Sequence, residues 1–207
     1  MKSLKLALFL SVIVFVSITS LAVADNNRRE LKNIPLEWKP TEVSSSRSVI
    51  DVSSFMKTTF SIAPFTDIRE KPEEIGKNIE RRGTDPDLPV TTKDNVASWL
   101  TDRFTHVLSE TGIDVVKSNG TFRIEAEIRR FFVTESSSYK GDVGIKIRLR
   151  AKNGDVVWEG MVSGSASRFG SSYKADNYYE ALSDSVVTAI SGLFKDDQFK
   201  QAVQKNK

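Results

Sequence analysis

Cysteine is absent from this chain of 207 residues, and histidine occurs once, as His106. Without cysteine there is no disulfide framework, no thiolate metal site and no sulfur to carry a lipid. A single histidine then excludes the usual zinc ligand sets. The sequence also lacks a G-x-S-x-G nucleophile elbow and a glycine-rich phosphate loop. We therefore predict no cofactor, no metal site and no enzymatic activity.

Neither sign of charge dominates the chain. Its 30 Lys and Arg residues oppose 27 Asp and Glu residues, which gives a net charge of +3. Two of the lysines, Lys2 and Lys5, lie in an N-terminal segment that we expect to be removed, which leaves 28 basic residues against the same 27 acidic ones. A near-neutral chain with interspersed signs has no electrostatic basis for binding nucleic acid, and we predict no nucleic-acid partner.

A long hydrophobic run occurs only at the N-terminus. Residues 1–24 combine two lysines, an apolar stretch and the triplet Ala22-Val23-Ala24, which is the pattern of a secretory signal peptide cleaved after Ala24. The alternative is retention as a membrane anchor, because Leu6–Ala24 is apolar over nearly the length that spans a bilayer. We expect an exported protein, periplasmic or associated with the cell envelope, that touches the membrane only if this segment stays uncleaved.

The remaining chain divides by periodicity into three parts. Residues 25–56 are polar and aperiodic, which favours a flexible tether. The large apolar residues of this part offer the alternative of a short partner-binding or edge strand: Leu36, Trp38 and Val43. Residues 57–195 alternate strand and helix patterns and are expected to form a single domain. Residues 196–207 are rich in charge, and we predict a C-terminal tail that frays.

The most regular stretch predicts three consecutive strands, Phe122–Thr134, Val143–Ala151 and Val156–Ser167. Apolar and charged residues alternate along the first two strands, as in a sheet with one buried and one solvent-exposed face. Asn153-Gly154, between the last two strands, favours a two-residue type I′ hairpin turn. A hairpin centred there places Leu149 opposite Trp158, Ile147 opposite Gly160, Ile145 opposite Val162 and Arg148 opposite Glu159.

Small residues occupy the inner face of the third predicted strand, at Gly160, Gly164 and Ala166. Glycine weakens a strand and usually indicates the close approach of another backbone. We expect a helix to lie against this part of the sheet. A cavity for a small ligand is the alternative.

Two segments carry apolar residues at helical spacing, one on each side of the three strands. The first opens at Val90–Asn95, where a threonine is the expected N-cap, and it stops at Gly112. The second spans Asn177–Phe194. With short strands at Lys57–Ala63 and Ile113–Val116, this pattern predicts an α+β fold. It is a two-layer sandwich of a mainly antiparallel sheet, in the order strand, helix, four-strand meander, helix, with both helices on one face.

Glu125 and Glu127 place two carboxylates on one strand face, about 7 Å apart by strand geometry, a separation compatible with glycoside hydrolysis. Four arginines share that face and would hold both glutamates ionised, whereas a general acid needs a raised pKa. We therefore interpret the two glutamates as partners in cross-strand ion pairs.

The charged connection from Glu70 to Pro89 is expected to be a long loop, and loops of that length are commonly functional or disordered. We expect the Phe65–Pro89 segment that contains this loop, together with the Glu135–Gly141 turn and the Arg168–Lys174 connection, to expose the arginine and aromatic side chains that anchor interfaces. We predict a contact with an envelope protein partner through eight residues: Phe65, Asp67, Arg69, Tyr139, Lys140, Arg168, Phe169 and Tyr173. In a three-strand meander, Tyr139 and Arg168 lie at the same end and should be neighbours.

Short stretches distributed over most of Phe60–Leu193 share one resemblance: Ala63–Arg69, Ile75-Gly76, Arg130–Glu135, Tyr139–Gly141, Gly164–Gly170, Tyr173–Ala175 and Tyr178–Leu182. They resemble the YajG-like family of bacterial envelope lipoproteins. The resemblance implies a non-enzymatic cell-envelope protein with an α+β domain. Members of that family are usually lipidated on a cysteine after the signal, whereas this chain has Ala22-Val23-Ala24-Asp25 there, so a lipid anchor is not expected.

Together these observations predict an exported bacterial cell-envelope protein that acts as an interaction or scaffold module. The alternative is a periplasmic module that binds a glycan or lipid fragment in a cavity lined by Gly160 and Gly164. A hydrolase that uses Glu127 is the weakest of the three hypotheses.

Overall fold

A computed structural model describes residues 31–42, 51–80 and 87–207 of the chain. The predicted signal peptide, residues 1–24, lies outside the described residues. The strands are β1 (Thr59–Ile62), β2 (Thr66–Asp67), β3 (Glu74–Asn78), β4 (Leu88–Thr91), β5 (Asp114–Val116), β6 (Phe122–Glu135), β7 (Ser138–Ala151) and β8 (Val156–Phe169). The α-helices are α1 (Val96–Glu110), α2 (Ala175–Lys195) and α3 (Asp197–Lys205), and a 3₁₀ turn covers Val52–Phe55.

The three long strands β6, β7 and β8 form an antiparallel meander, and each has 14 residues. Asn153-Gly154 lies in the turn between β7 and β8, where Gly154 adopts a φ of 93°. The predicted hairpin register is confirmed at all four positions: Leu149 pairs with Trp158, Ile147 with Gly160, Ile145 with Val162 and Arg148 with Glu159.

A bulge in β6 reverses the alternation of its side chains. The register with β7 shifts between Ile128 and Arg130, which leaves Arg129 as the extra residue. Before the bulge the buried residues stand at even positions, and after it they stand at odd positions from Phe131 onward. An inserted residue has this effect because the side-chain period of a strand is two.

The other edge of β6 is shared by three short parallel strands. β1, β2 and β3 follow one another along it, with Phe60 beside Phe122, Thr66 beside Glu127 and Gly76 beside Val133. β5 lies parallel to β1, and β4 lies antiparallel to β3. The result is an open mixed sheet with α1 and α2 packed against each other and against the sheet. The predicted α+β sandwich is therefore confirmed.

The prediction that Ile113–Val116 begins a four-strand meander is wrong. β5 pairs with β1 in parallel because α1 supplies the crossover that a parallel connection needs. β1 therefore lies between β5 and β6, and the connection 117–121 crosses β1 to reach β6. A Cβ atom on Gly120 would lie 2.7 Å from the amide nitrogen of Ser61, so this crossing requires glycine.

The helix α1 begins three to four residues later than a threonine N-cap at Thr91 or Thr92 would place it. Its N-cap is Asn95, whose side chain accepts the N–H of Ser98, whereas Thr91 belongs to β4. The predicted stop is confirmed, because Gly112 follows the helix with a φ of 84°. None of the helices in the described residues is long and apolar enough to cross a membrane.

The prediction of a loop from Glu70 to Pro89 is wrong over half of its described part. β3 and β4 pair as an antiparallel hairpin, and β3 also pairs with the end of β6. The side chains of Ile75 and Val90 are fully buried in the core, and this burial holds β3 and β4 in place.

The predicted tether is also ordered where it is described. Between Leu31 and Glu42, the N–H of Ile34 donates to the carbonyl oxygen of Thr91 at 2.9 Å, which extends the sheet edge beside β4. Leu36 is buried, and the Trp38 ring meets the Trp99 ring of α1 edge-on at 5.8 Å. These apolar residues hold the segment on the helix layer, but no strand is assigned to it, and Val43 lies outside the described residues.

The predicted fraying tail is a helix, α3. Asp196 is its N-cap and accepts the N–H of Phe199. Phe199 and Val203 are fully buried because their four-residue spacing places them on one helical face. The Phe199 ring contacts Trp158 and Phe194 at 5.2 Å, so the last helix completes the core.

Candidate functional site

The structure separates the eight predicted contact residues into two groups. Tyr139 and Arg168 are direct cross-strand neighbours, as predicted, and Phe169 pairs with Ser138 beside them. Lys140 and Tyr173 lie at this same end of the meander. Phe65, Asp67 and Arg69 lie beside the middle of β6. In that second group Phe65 is buried, with its ring 5.3 Å from Phe104 of α1.

Exposure divides the group at the end of the meander. Phe169 is 98% exposed, and Lys140 is exposed as well. Tyr139 is fully buried, so the expectation that it is exposed is wrong. Its ring contacts Tyr178 of α2 at 5.2 Å, because α2 lies directly on β7 at this point.

Arg69 was also expected to be exposed, but its side chain is 9% exposed and cross-links the sheet. Its guanidinium donates two hydrogen bonds to the Asp67 carboxylate, from Nε at 2.9 Å and from Nη2 at 2.7 Å. It also donates to the carbonyl oxygens of Glu74 and Phe131, both at 2.9 Å. These bonds fix the connection between β2 and β3 against β6.

Three tyrosines surround a buried carboxyl group at the end of the meander, and we call Tyr139, Tyr173 and Tyr178 the tyrosine cluster. The carboxyl group belongs to Glu135, the last residue of β6, which is fully buried. Its two oxygens accept the N–H of Tyr173 and the O–H of Tyr178, each at 2.7 Å. The Tyr139 hydroxyl accepts the N–H of Ser172 at 3.0 Å. The cluster therefore joins β6, β7 and α2 to the connection between β8 and α2.

This connection contains a backbone conformation that is rare for its residue. Tyr173 has a φ of 47°, and the left-handed region costs a non-glycine residue about 1–2 kcal/mol. Its N–H is bound to Glu135, and its hydroxyl donates to the carbonyl oxygen of Pro89 at 3.3 Å and accepts the N–H of Leu31 at 3.2 Å. The connection is thus held from three directions, and Phe169 stands at its start.

Burial, followed by the hydrogen bond to Glu135, raises the pKa of Tyr178 far above the usual tyrosine value of 10.0. Folded Tyr178 stays neutral where an unfolded tyrosine ionises, so its contribution to stability is complete below pH 10 and falls as the pH rises further. We expect the free energy of unfolding to fall by about 1.4 kcal/mol per pH unit above pH 10 from this residue. Urea melts between pH 9 and 11 measure the slope of the unfolding free energy against pH. We expect this slope to be less steep in Tyr178→Phe than in the wild type. An identical slope in the two proteins would contradict the assignment.

The cavity required by the small-ligand hypothesis is filled. A Cβ atom on Gly164 would lie 2.0 Å from the carbonyl oxygen of Ser185 in α2, and one on Gly160 would lie 2.6 Å from the Trp158 ring. The expected helix on this face is therefore confirmed at Gly164, and the alternative that placed a glycan or lipid fragment over these glycines is wrong.

The glutamates on the outer face are ion-paired, as predicted. Arg150 Nε lies 2.9 Å from Glu125, and Arg148 Nη1 lies 3.3 Å from Glu127. A hydrogen bond from Arg129 lowers the pKa of Glu127, which is opposite to the shift that a general acid needs. The described residues contain no group of three or more His, Asp or Glu side chains placed to hold a metal ion.

No protein-family model matches the chain, and no curated protein matches it significantly. Several solved structures are similar to it at low identity. Protein XCC0632 from Xanthomonas campestris, of the DUF330 family, is 11% identical over 66% of this chain and 81% of its own, with a TM-score of 0.48. The PelC dodecamer from Paraburkholderia phytofirmans is 12% identical over 65% of this chain and 83% of its own, with a TM-score of 0.38. Lipoprotein GNA1162 from Neisseria meningitidis is 12% identical over 58% of this chain and 90% of its own, with a TM-score of 0.34. The YajG-like resemblance stays a prediction.

Proposed function

We propose that the chain is an exported protein of the bacterial cell envelope that acts without catalysis and binds a protein partner at the Phe169 end of the meander. Export is supported by the signal-peptide pattern of residues 1–24. Binding is supported by one observation above all, the exposure of Phe169 on a backbone that the tyrosine cluster holds in place.

Phe169 is the last residue of β8, and 98% of its surface is exposed. An aromatic side chain in water contributes little to folding, whereas its burial in an interface removes a large apolar area from water. Lys140 is exposed on the same face of the sheet as Phe169, because it pairs with Ser167, two residues before Phe169 on β8. Arg168 points to the opposite face, where it pairs with Glu180 of α2. Aromatic side chains are among those that most often carry the binding energy of a protein interface.

The backbone after Phe169 is ordered before any partner arrives. The N–H groups of Ser172 and Tyr173 are bound by the Tyr139 hydroxyl and by Glu135. A contact residue on a fixed backbone binds with a smaller loss of conformational entropy than one on a loose loop. The buried tyrosine cluster therefore supports the contact without touching the partner.

The strand β8 adds backbone groups to this surface. In the part of the chain that the structure describes, β8 pairs with β7 on one side only. The N–H and C=O groups on its other side therefore have no strand partner among these residues. An extended segment of the partner can add to such an edge through main-chain hydrogen bonds.

Phe169→Ser should abolish partner binding and leave the fold intact, with a free energy of unfolding within about 0.5 kcal/mol of wild type, as for most surface substitutions. A photoreactive residue at Lys140 reports the contact in intact cells as a discrete crosslinked protein. We expect this crosslink in the wild-type background and its loss in Phe169→Ser.

The matched control is Met161→Ser, because Met161 is a 59%-exposed apolar residue of the same strand. It should keep the Lys140 crosslink, and a photoreactive residue at Arg148, on the outer face, should give none. A crosslink that persists in Phe169→Ser, or that Met161→Ser also removes, would contradict the proposed contact.

A further inference from the structure

A cleft of about 450 Å³ opens at the other end of the meander, where β6 begins. It lies between the connection that crosses β1, the turn between β7 and β8, and the outer face of the sheet. Four basic residues line it: Lys117, Arg123, Arg150 and Lys152. None of the described residues that line it is acidic.

The arginines of this cleft break the charge pattern of the sheet. Arg123 and Arg150 are direct cross-strand partners, whereas the next two rows pair opposite charges, Glu125 with Arg148 and Glu127 with Lys146. Like charges directly opposite one another destabilise a sheet. Arg150 is accounted for by its ion pair with Glu125 at 2.9 Å, whereas Arg123, with its Nε 3.8 Å from the same carboxylate, has no comparable structural role.

Among the residues that the structure describes, one carboxylate forms an ion pair with these basic groups. The Glu125 carboxylate lies 2.9 Å from Arg150 Nε and 3.8 Å from Arg123 Nε, so its closer ion pair is with Arg150. The Arg123 side chain is 59% exposed, and Lys117 and Lys152 are both exposed in the flanking connections. The cleft therefore keeps a local excess of positive charge and unused N–H donors.

We propose that this cleft binds a ligand through an oxyanion group of the phosphate type. A guanidinium presents paired donors that match the geometry of a phosphate, and ammonium groups add charge around it. The volume falls within the usual range of small-ligand sites. The site is independent of the proposed protein contact, because strands of 14 residues place it on the order of 40 Å from Phe169.

Calorimetric titration of the purified chain with inorganic pyrophosphate tests the proposal. We expect saturable binding that Arg123→Gln weakens by about tenfold, the effect of losing one charge-assisted hydrogen bond. The matched control is Arg130→Gln. Arg130 is 63% exposed, pairs with Asp142 outside the cleft, and loses the same charge on substitution. It should bind pyrophosphate as the wild type does.

A second arm distinguishes the source of the oxyanion. Flotation with phosphatidylcholine vesicles, with and without phosphatidylglycerol, tests a lipid headgroup. Binding to the anionic vesicles that pyrophosphate displaces and Arg123→Gln weakens supports the site and assigns it to a headgroup. Pyrophosphate binding without vesicle binding supports the site and assigns it to a soluble ligand. Absence of both, or equal losses in Arg123→Gln and Arg130→Gln, overturns the proposal.

Discussion

Replacing Gly164 by alanine should lower the free energy of unfolding by about 3 kcal/mol, the upper end of the usual range for an overpacked core. The added Cβ would lie 2.0 Å from the carbonyl oxygen of Ser185 and 2.4 Å from the amide nitrogen of Ala189. Both are backbone atoms of α2, which cannot rotate away as a side chain would. The helix must therefore move off β8, and urea denaturation measures the cost.

Gly192→Ala is the control in the same helix. Nothing lies within 4 Å of a Cβ atom at Gly192, and alanine in a helix interior is more stable than glycine by about 1 kcal/mol. The same chemical change should therefore stabilise the protein at one position and destabilise it at the other. A Gly164→Ala variant as stable as wild type would mean that α2 does not rest on β8.

The meander register could be predicted because two independent signals agree. The alternation along Val143–Ala151 specifies which side chains are buried, and Asn153-Gly154 specifies where the chain reverses. A shift of one residue would move every apolar side chain to the solvent face. The bulge at Arg129 had a weaker signal, the two adjacent arginines ahead of Phe131, and its effect appears only when the strands are paired.

The rest of the sheet could not be predicted in the same way. β2 has two residues and β5 has three, which is too short for a periodic pattern. Whether such a strand pairs with its neighbour in sequence depends on tertiary contacts. The position of β1 between β5 and β6 follows from the crossover through α1, and local alternation carries no information about it.

The candidate contact surface was predicted only in part for a related reason. The meander topology correctly placed Tyr139 beside Arg168, but exposure depends on which face of the sheet a side chain occupies and on what covers that face. Tyr139 and Arg168 lie on the face that α2 covers, whereas Phe169, the next residue of β8, lies on the opposite, outer face. Glu135 was assigned to a turn, where carboxylates are usually exposed. Its burial depends on two donors that lie about 40 residues away, Tyr173 and Tyr178.

The second large effect should come from Glu135. Glu135→Ala removes the acceptor of two hydrogen bonds and leaves the Tyr178 hydroxyl and the Tyr173 N–H without it. Each unsatisfied buried group costs about 1–3 kcal/mol, so we expect a loss of about 4 kcal/mol in the free energy of unfolding. Tyr178→Phe should cost less, about 1–2 kcal/mol, because it removes one donor and keeps the ring.

The double variant Glu135→Ala/Tyr178→Phe tests whether the two residues are energetically coupled. Its loss of unfolding free energy is compared with the sum of the losses in the two single variants. Residues that share a hydrogen bond are coupled by about 0.5–3 kcal/mol, so the double variant should lose less than the sum of the single variants. Glu135→Ala also frees the strained backbone of Tyr173. It should therefore weaken the Lys140 crosslink although Glu135 is fully buried, whereas Gly192→Ala should leave that crosslink unchanged. Strict additivity of the unfolding free energies, or a full-strength crosslink in folded Glu135→Ala, would show that the tyrosine cluster does not support Phe169.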